Sequence, residues 1–304
     1  MKLALKIDVS TLRGLSEGVP ALVELLRRHG AGATFFFAVG PDRSGRLSRS
    51  LPPGAAGGVR ERRGFPACFY GTLLPSPDMG RRGGDFMRSV RDAGFETGVA
   101  AWDPAGWRRH AAREGAAWTE AAMQHAVDAY ARVFGEPPLA HAAPGWQTNV
   151  HALRMTQRLG FAYCSDGRGR SPHLPVANAE LIRCPQFPTT LPLLDECLAQ
   201  PGVDEDNLAS HVLGITGSEL PAGPVFALRA GIEGVRLVRV LDQLFTGWKA
   251  QGYELVGLGA LCASVEPLAL PRCETALARL PGRPQPLLLQ GEEFLAGVEL
   301  RRAA

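Results

Sequence analysis

Leu3 to Val9 alternates in a short run that predicts a first strand ending at Asp8. Val19, Leu22, Val23, Leu25 and Leu26 then recur at helical spacing up to Gly30, which reads as a C-cap. Ala33 to Val39 is a continuous apolar run, the pattern of a strand covered on both faces. Strand, helix and strand within forty residues make a βαβ unit, and that implies a parallel sheet. The rhythm resumes with a helix over Asp85–Gly94 and a strand over Glu96–Ala101. A long helix over Trp118–Phe134 is striped by Met123, Val127, Tyr130 and Phe134. Further short strands are predicted at Leu139–Ala143, Tyr163–Ser165, Leu181–Cys184, Val225–Ala230 and Glu254–Gly257. Helices are predicted near Asn149–Gly160, Asn207–Ile215 and Val235–Gln251. About seven β/α repeats around a parallel core come close to a barrel.

Two stretches break the pattern. Residues 41–84 are rich in Gly, Pro and Arg and read as a long insertion loop. From Pro267 onward Pro271, Pro281, Pro284 and Pro286 predict an irregular tail, 267–304, outside a barrel that spans 1–266. Composition narrows the class without naming a function. With 304 residues, 45% hydrophobic and 21% charged, the chain can bury a sizeable core. A net charge of +3, with no Lys/Arg run interleaved with aromatics, gives no reason to expect nucleic acid. Six cysteines without a CxxC pair argue against a zinc knuckle or a disulfide framework. No stretch reaches the roughly 18 apolar residues of a membrane span or the pattern of a signal peptide, so a cytoplasmic protein is expected.

In a β/α barrel, function sits just beyond the strand ends. Those positions carry the words Ile7-Asp8-Val9, Gly18-Val19-Pro20, Phe36-Phe37 with Val39-Gly40-Pro41-Asp42, Ala101-Trp102-Asp103 and Gly145-Trp146. Ser165-Asp166-Gly167-Arg168-Gly169, Thr190-Leu191-Pro192 with Asp195-Glu196, and Glu233-Gly234 follow in the same order. Together they resemble the NodB-homology polysaccharide deacetylases. Within that family they resemble the branch that deformylates undecaprenyl-phosphate-linked 4-formamido-arabinose in lipid A modification. The resemblance spans residues 3 to 260 and implies an α/β fold with a single incomplete (β/α)7 barrel.

It also implies a chemistry. The family uses a divalent metal such as zinc, held by one Asp and an H-x-x-x-H pair, to polarise the amide and activate water. An Asp acts as general base and a late His as general acid. Here Asp8 stands at the base position, but Ser10, Ala100 and Pro104 occupy the ligand positions and Arg229 replaces the acid. Arginine stays charged near neutrality and cannot shuttle a proton. No metal cofactor is therefore predicted. Arg229 is expected to pair with Asp8 or Asp166, or to grip an anionic ligand. Trp102, Asp103, Trp146, Asp166, Arg168 and Glu233 are expected to shape a sugar pocket, with barrel packing the other reading of the tryptophans. His141 is the histidine best placed to face the barrel mouth with Asp8, Asp166 and Glu233.

Three functions stay open. The leading one is a non-hydrolytic binder of a sugar, an undecaprenyl-linked glycolipid or a partner enzyme of the same pathway. The second is an active amide hydrolase built on relocated residues, with Asp8, His141 and Asp166 the first to examine. The third is a structural subunit of an assembly. The arginines of 41–84 are read either as contacts to anionic lipid at an inner membrane or as a basic loop with no partner.

Overall fold

The computed structural model describes residues 1–49, 67–218, 220–280 and 285–295. Its strands are β1 (Lys2–Val9), β2 (Thr34–Phe37), β3 (Glu96–Val99), β4 (Ala140–His141), β5 (Tyr163–Cys164), β6 (Leu174–Ala177), β7 (Glu180–Leu181), β8 (Val225–Arg229), β9 (Glu254–Val256), β10 (Arg272–Ala278) and β11 (Leu287–Glu293). Seven of them form one parallel sheet in the order β5-β4-β3-β2-β1-β8, with β9 also on β1. Gly32 N, just before β2, donates to Leu255 O at 2.9 Å, so β9 wedges between the start of β1 and the chain entering β2.

The sheet curls into an incomplete barrel. Ala4, Phe36, Ala100, Ala140, Ala142, Tyr163 and Val225, from six different strands or their ends, pack in one cluster and mark the concave face. The alternate residues Leu3, Leu5, Ile7, Val9, Phe35, Phe37 and Val99 pack outward under the helices. Between β5 and β8 the wall has no strand. Residues 185–191 close it instead: Cys164 N donates to Pro185 O (2.8 Å), Phe187 N to Cys164 O (2.8 Å) and Thr190 N to Val225 O (3.1 Å). The predicted core strand at Leu181–Cys184 is thus corrected. Glu180–Leu181 pairs antiparallel with β6 in a second sheet, of order β11-β10-β6-β7.

The expectation of an irregular tail is also corrected. β10 and β11 form an antiparallel hairpin, and β10 continues β6 in parallel. Pro267 and Pro271 lie before β10 and Pro286 just ahead of β11, where no ladder hydrogen bond is lost, and Pro281 and Pro284 lie outside the described residues. Leu287 packs with Trp146, Leu193 and Ala227, so the hairpin roofs the barrel mouth.

Nor is 41–84 one continuous loop. Helices run over Ser44–Arg49 and Met79–Asp92, the second starting six residues earlier than the pattern predicts. Asp78 caps it by accepting Arg81 N. A Cβ at Gly83 would stand 2.1 Å from Leu15 Cδ2, so a glycine that reads as loop lets the helix pack closely. Leu51, Arg60, Arg62, Arg63 and Phe65, part of the segment expected to meet lipid, lie outside the described residues. Among the described residues no helix is long and apolar enough to cross a membrane.

Gly18 and Gly234 explain two of the motif words. A Cβ on Gly18 would lie 1.9 Å from Ala230 O, and one on Gly234 would lie 2.8 Å from Gly18 O. The turn after β1 and the turn after β8 therefore meet backbone to backbone.

Candidate functional site

Lys6 and Asp8 follow Ala4 at the two-residue period of β1 and so share its concave face. Lys6 is fully buried. Its Nζ donates to Ser165 O at 2.7 Å and lies 3.9 Å from Asp8 Oδ1. It also sits over the Phe36 and Trp146 rings, 5.7 Å from each centroid. Burial pushes its ammonium below the ordinary lysine value, and Asp8 and then Asp166 pull it back up. Sequence reasoning missed Lys6. The signal was there: a lysine inside the apolar run Leu3–Ile7, two residues before a strand-end aspartate.

Arg229 ends β8 and is held by two carboxylates. Nη1 donates to Asp195 Oδ2 at 2.8 Å, Nη2 to Glu233 Oε1 at 2.6 Å, and the backbone N to Glu233 Oε2 at 2.7 Å. The expected pairing with Asp8 or Asp166 is corrected. The turn after β8 brings Glu233 back over the guanidinium, and the helix Leu194–Leu198 presents Asp195 from the other side. Burial alone would lower the Arg229 pKa; Glu233 and Asp195 raise it above its ordinary value.

Asp166, expected in a sugar pocket, is 1% exposed and its oxygens are taken. Oδ1 accepts from Ala143 N at 2.8 Å and bonds His141 Nδ1 at 2.7 Å; Oδ2 accepts from Gln186 Nε2 at 3.1 Å. Burial would raise its pKa, but the His141 ring and these hydrogen bonds hold it below the ordinary carboxylate value. His141 does not face the mouth as predicted. It alternates with the inward Ala140 and Ala142, stacks on Phe161 at 5.4 Å and points under the helices. With Asp166 and Cys164 it makes a buried group of three whose donor atoms lie within 4.8 Å of one another. That group sits behind the barrel wall, closed by the hydrogen bonds just described.

Trp146 is likewise buried, at 4% exposure, and is not a stacking face for a sugar. Gly145 (φ 66) and Trp146 (φ 56) both adopt left-handed backbone, which is costly for a tryptophan. The turn drives the indole between Lys6 and Arg168, whose Cζ lies 5.2 Å from the ring, and its Nε1 donates to Thr189 Oγ1 at 3.0 Å. Arg168 is tied to both oxygens of Glu196, at 2.8 and 3.0 Å. Glu233, 1% exposed, is equally committed.

Trp102 and Asp103 behave differently. They line an open cavity of about 250 Å³ beside the end of β3, together with Arg43, Arg46, Trp107, Arg109, Trp118 and His125. Asp103 caps the helix Pro104–His110 through Gly106 N (3.0 Å) and pairs with Arg43. Trp102 stacks on His125 at 4.3 Å. The predicted pocket thus divides into a packed barrel centre and an open lateral cavity.

A search against protein-family profiles gives no match. A probable 4-deoxy-4-formamido-L-arabinose-phosphoundecaprenol deformylase ArnD from Shewanella sediminis is 32% identical over 262 residues, 84% of each chain. The chain belongs to the ArnD deformylase family. Among solved structures, a probable polysaccharide deacetylase from Pseudomonas aeruginosa matches with a TM-score of 0.57 at 14% identity, covering 86% of this chain and 89% of that one. A family 4 carbohydrate esterase pseudoenzyme from Bacillus anthracis matches at 0.50 with 14% identity, covering 86% and 65%. Both likenesses concern the fold, the mostly parallel curled sheet of polysaccharide deacetylases.

At Ser10, Ala100 and Pro104, where the resemblance leads one to expect the metal ligands, the side chains offer no matching donors. Ala100 and Pro104 are buried and carry no ligand atom, and Ser10 offers only a hydroxyl. Asp8 already faces an ammonium 3.9 Å away. The residues present do not fit the divalent ion that the resemblance implies.

Proposed function

We propose that the chain is a non-hydrolytic member of the ArnD family that binds a sugar or glycolipid without cleaving an amide. One observation carries the reading: the barrel centre has its cations built in. Lys6 faces Asp8 and Arg229 is locked by Asp195 and Glu233, at the strand ends where the family would place metal ligands and a proton donor. A fixed guanidinium cannot protonate a leaving amine, and a carboxylate beside an ammonium has less pull on an external ion. The related ArnD protein is described as acting on a phosphoundecaprenol-linked formamido sugar. We carry over the ligand class, a sugar with or without its lipid, and not the cleavage. Peripheral contact with a membrane and a partner enzyme of the same pathway belong to the same proposal.

The test is formate release from an N-formyl amino sugar with zinc, cobalt or manganese added, alongside metal analysis of the purified protein. No turnover above buffer is expected. Metal-dependent turnover that disappears in Asp8→Asn would overturn the reading. A second preparation carrying Ser10→Asp, Ala100→His, Pro104→His and Arg229→His asks whether the frame can still accept an ion once donors return.

A further inference from the structure

We propose that Cys164 and Cys184 form an oxidisable thiol pair, which a hydroperoxide converts to a disulfide across the strandless seam of the barrel wall. The two Sγ atoms lie 3.5 Å apart, 20 residues separate them in the chain, and both residues are buried. Cys184 Sγ donates to Phe161 O at 3.4 Å, so the proton between the two sulfurs is that of Cys164.

The backbone sets their meeting. Cys164 ends β5, where the wall lacks its next strand. Cys164 N donates to Pro185 O and Phe187 N donates to Cys164 O, both at 2.8 Å. Alongside, the Gln186 amide accepts from Asp166 N at 3.0 Å and donates to the Asp166 carboxylate at 3.1 Å. These bonds clamp together the two segments that carry the thiols. The S–S bond then forms by side-chain rotation inside a held frame, the condition for an unstrained bridge. It closes a loop over residues 165–183 that contains Asp166, Arg168, β6 and β7. Oxidation thus fastens the one stretch of wall that residues 185–191 close without a strand.

The order of events follows from exposure. Burial, and then the Cys184 thiol, raise the Cys164 pKa above its ordinary value, which makes Cys164 the poorer nucleophile. Cys184, 3% exposed against 0%, therefore attacks first. Its sulfur takes the terminal oxygen of the hydroperoxide and the O–O bond breaks. The alcohol leaves with the thiol proton, and Cys184 becomes a sulfenic acid. Cys164 Sγ then displaces the hydroxyl, which departs as water with the second thiol proton. The two sulfurs together give two electrons to the peroxide, and a reductant reverses the bond.

The experiment takes the full chain, purified under reductant, and holds it in hydrogen peroxide under native conditions. Peptide mapping without reductant is expected to show Cys164 linked to Cys184, with the link reversed by dithiothreitol. The oxidised chain should melt about 5 °C above the reduced one, because the bridge restricts the unfolded chain. Cys184→Ala, treated alike, should lose both the link and the shift; if it does not fold, the wild-type map decides alone. Oxidation at Cys68 or Cys262 without a 164–184 link would overturn the inference, as would a link from Cys184 to Cys262. So would a 164–184 link that forms only after unfolding in urea, since the native frame would then not bring the sulfurs together. An oxidised chain that melts at or below the reduced one would refute the fastening of the seam. Stoichiometric zinc in the reduced chain, lost in Cys184→Ala, would make the thiols metal ligands and overturn the oxidisable pair.

Discussion

Arg229→Met should cost about 3 kcal/mol of stability without altering the fold. The wild-type guanidinium donates to Asp195 Oδ2 and to both oxygens of Glu233. These carboxylates are 3% and 1% exposed. Asp195 Oδ1 has no hydrogen-bond partner, so Asp195 depends on Arg229 for its one side-chain bond among the described residues. Removing one member of a buried ion pair costs roughly 3–5 kcal/mol, because a charge is left behind in a poor solvent. Arg229 itself is 22% exposed, which argues for the lower end of that range. The assay is urea unfolding followed by tryptophan fluorescence, read as a change in midpoint at constant slope. Adding Glu233→Gln to Arg229→Met removes one of the stranded charges and should return at least about 1 kcal/mol. A single variant within about 1 kcal/mol of wild type, with no gain in the double, would show that the cluster is solvated and that the argument for a locked Arg229 fails.

Other outcomes can be checked with the same assay. Burial lowers the pKa of His173 to about 4, below an ordinary value near 6.5. The folded protein then binds fewer protons than the unfolded chain between these values, so stability falls as pH drops from about 6.5 to about 4. The loss is at most about 3 kcal/mol, at 1.36 kcal/mol per pH unit; His173→Phe should flatten that slope, and an unchanged slope would assign it elsewhere. Gly18→Ala should cost more than the roughly 1–3 kcal/mol of ordinary overpacking, because the new Cβ meets a backbone carbonyl at 1.9 Å. Wild-type-like unfolding of that variant would mean the two turns can separate. Ending the chain before β10 should expose the surfaces now covered by Leu287 and Leu288, a loss of roughly 1.5–3 kcal/mol for each leucine. It should also lower the midpoint and admit protease at Trp146; an unchanged midpoint would make the hairpin an ornament.

The order of strands and helices was legible because it rests on local pattern. A two-residue or 3.6-residue apolar period needs no partner to be seen, and Gly30 and Gly135 mark helix ends through the left-handed turn they adopt. Several of the motif words, among them Ile7-Asp8-Val9, Ala101-Trp102-Asp103 and Ser165-Asp166-Gly167, do lie at or just beyond strand ends.

Partners across the fold were another matter. Arg229 could have met any carboxylate at the mouth; which one depends on where the helix Leu194–Leu198 comes to rest, 34 residues away in the chain from Asp195 to Arg229. Asp166, Trp146 and Glu233 carry polar or aromatic groups that a sugar could use, and only burial assigns them to packing. The proline-bearing tail looked irregular because a hairpin that borrows its third strand from residues 174–177 has no local signature. Lys6 shows the division most clearly. Its type and spacing are written in the chain, but a lysine in a strand points to water unless the strand is walled on every side. Only the closed curl of the sheet supplies that wall, and with it the reason its ammonium turns to Asp8 and Ser165.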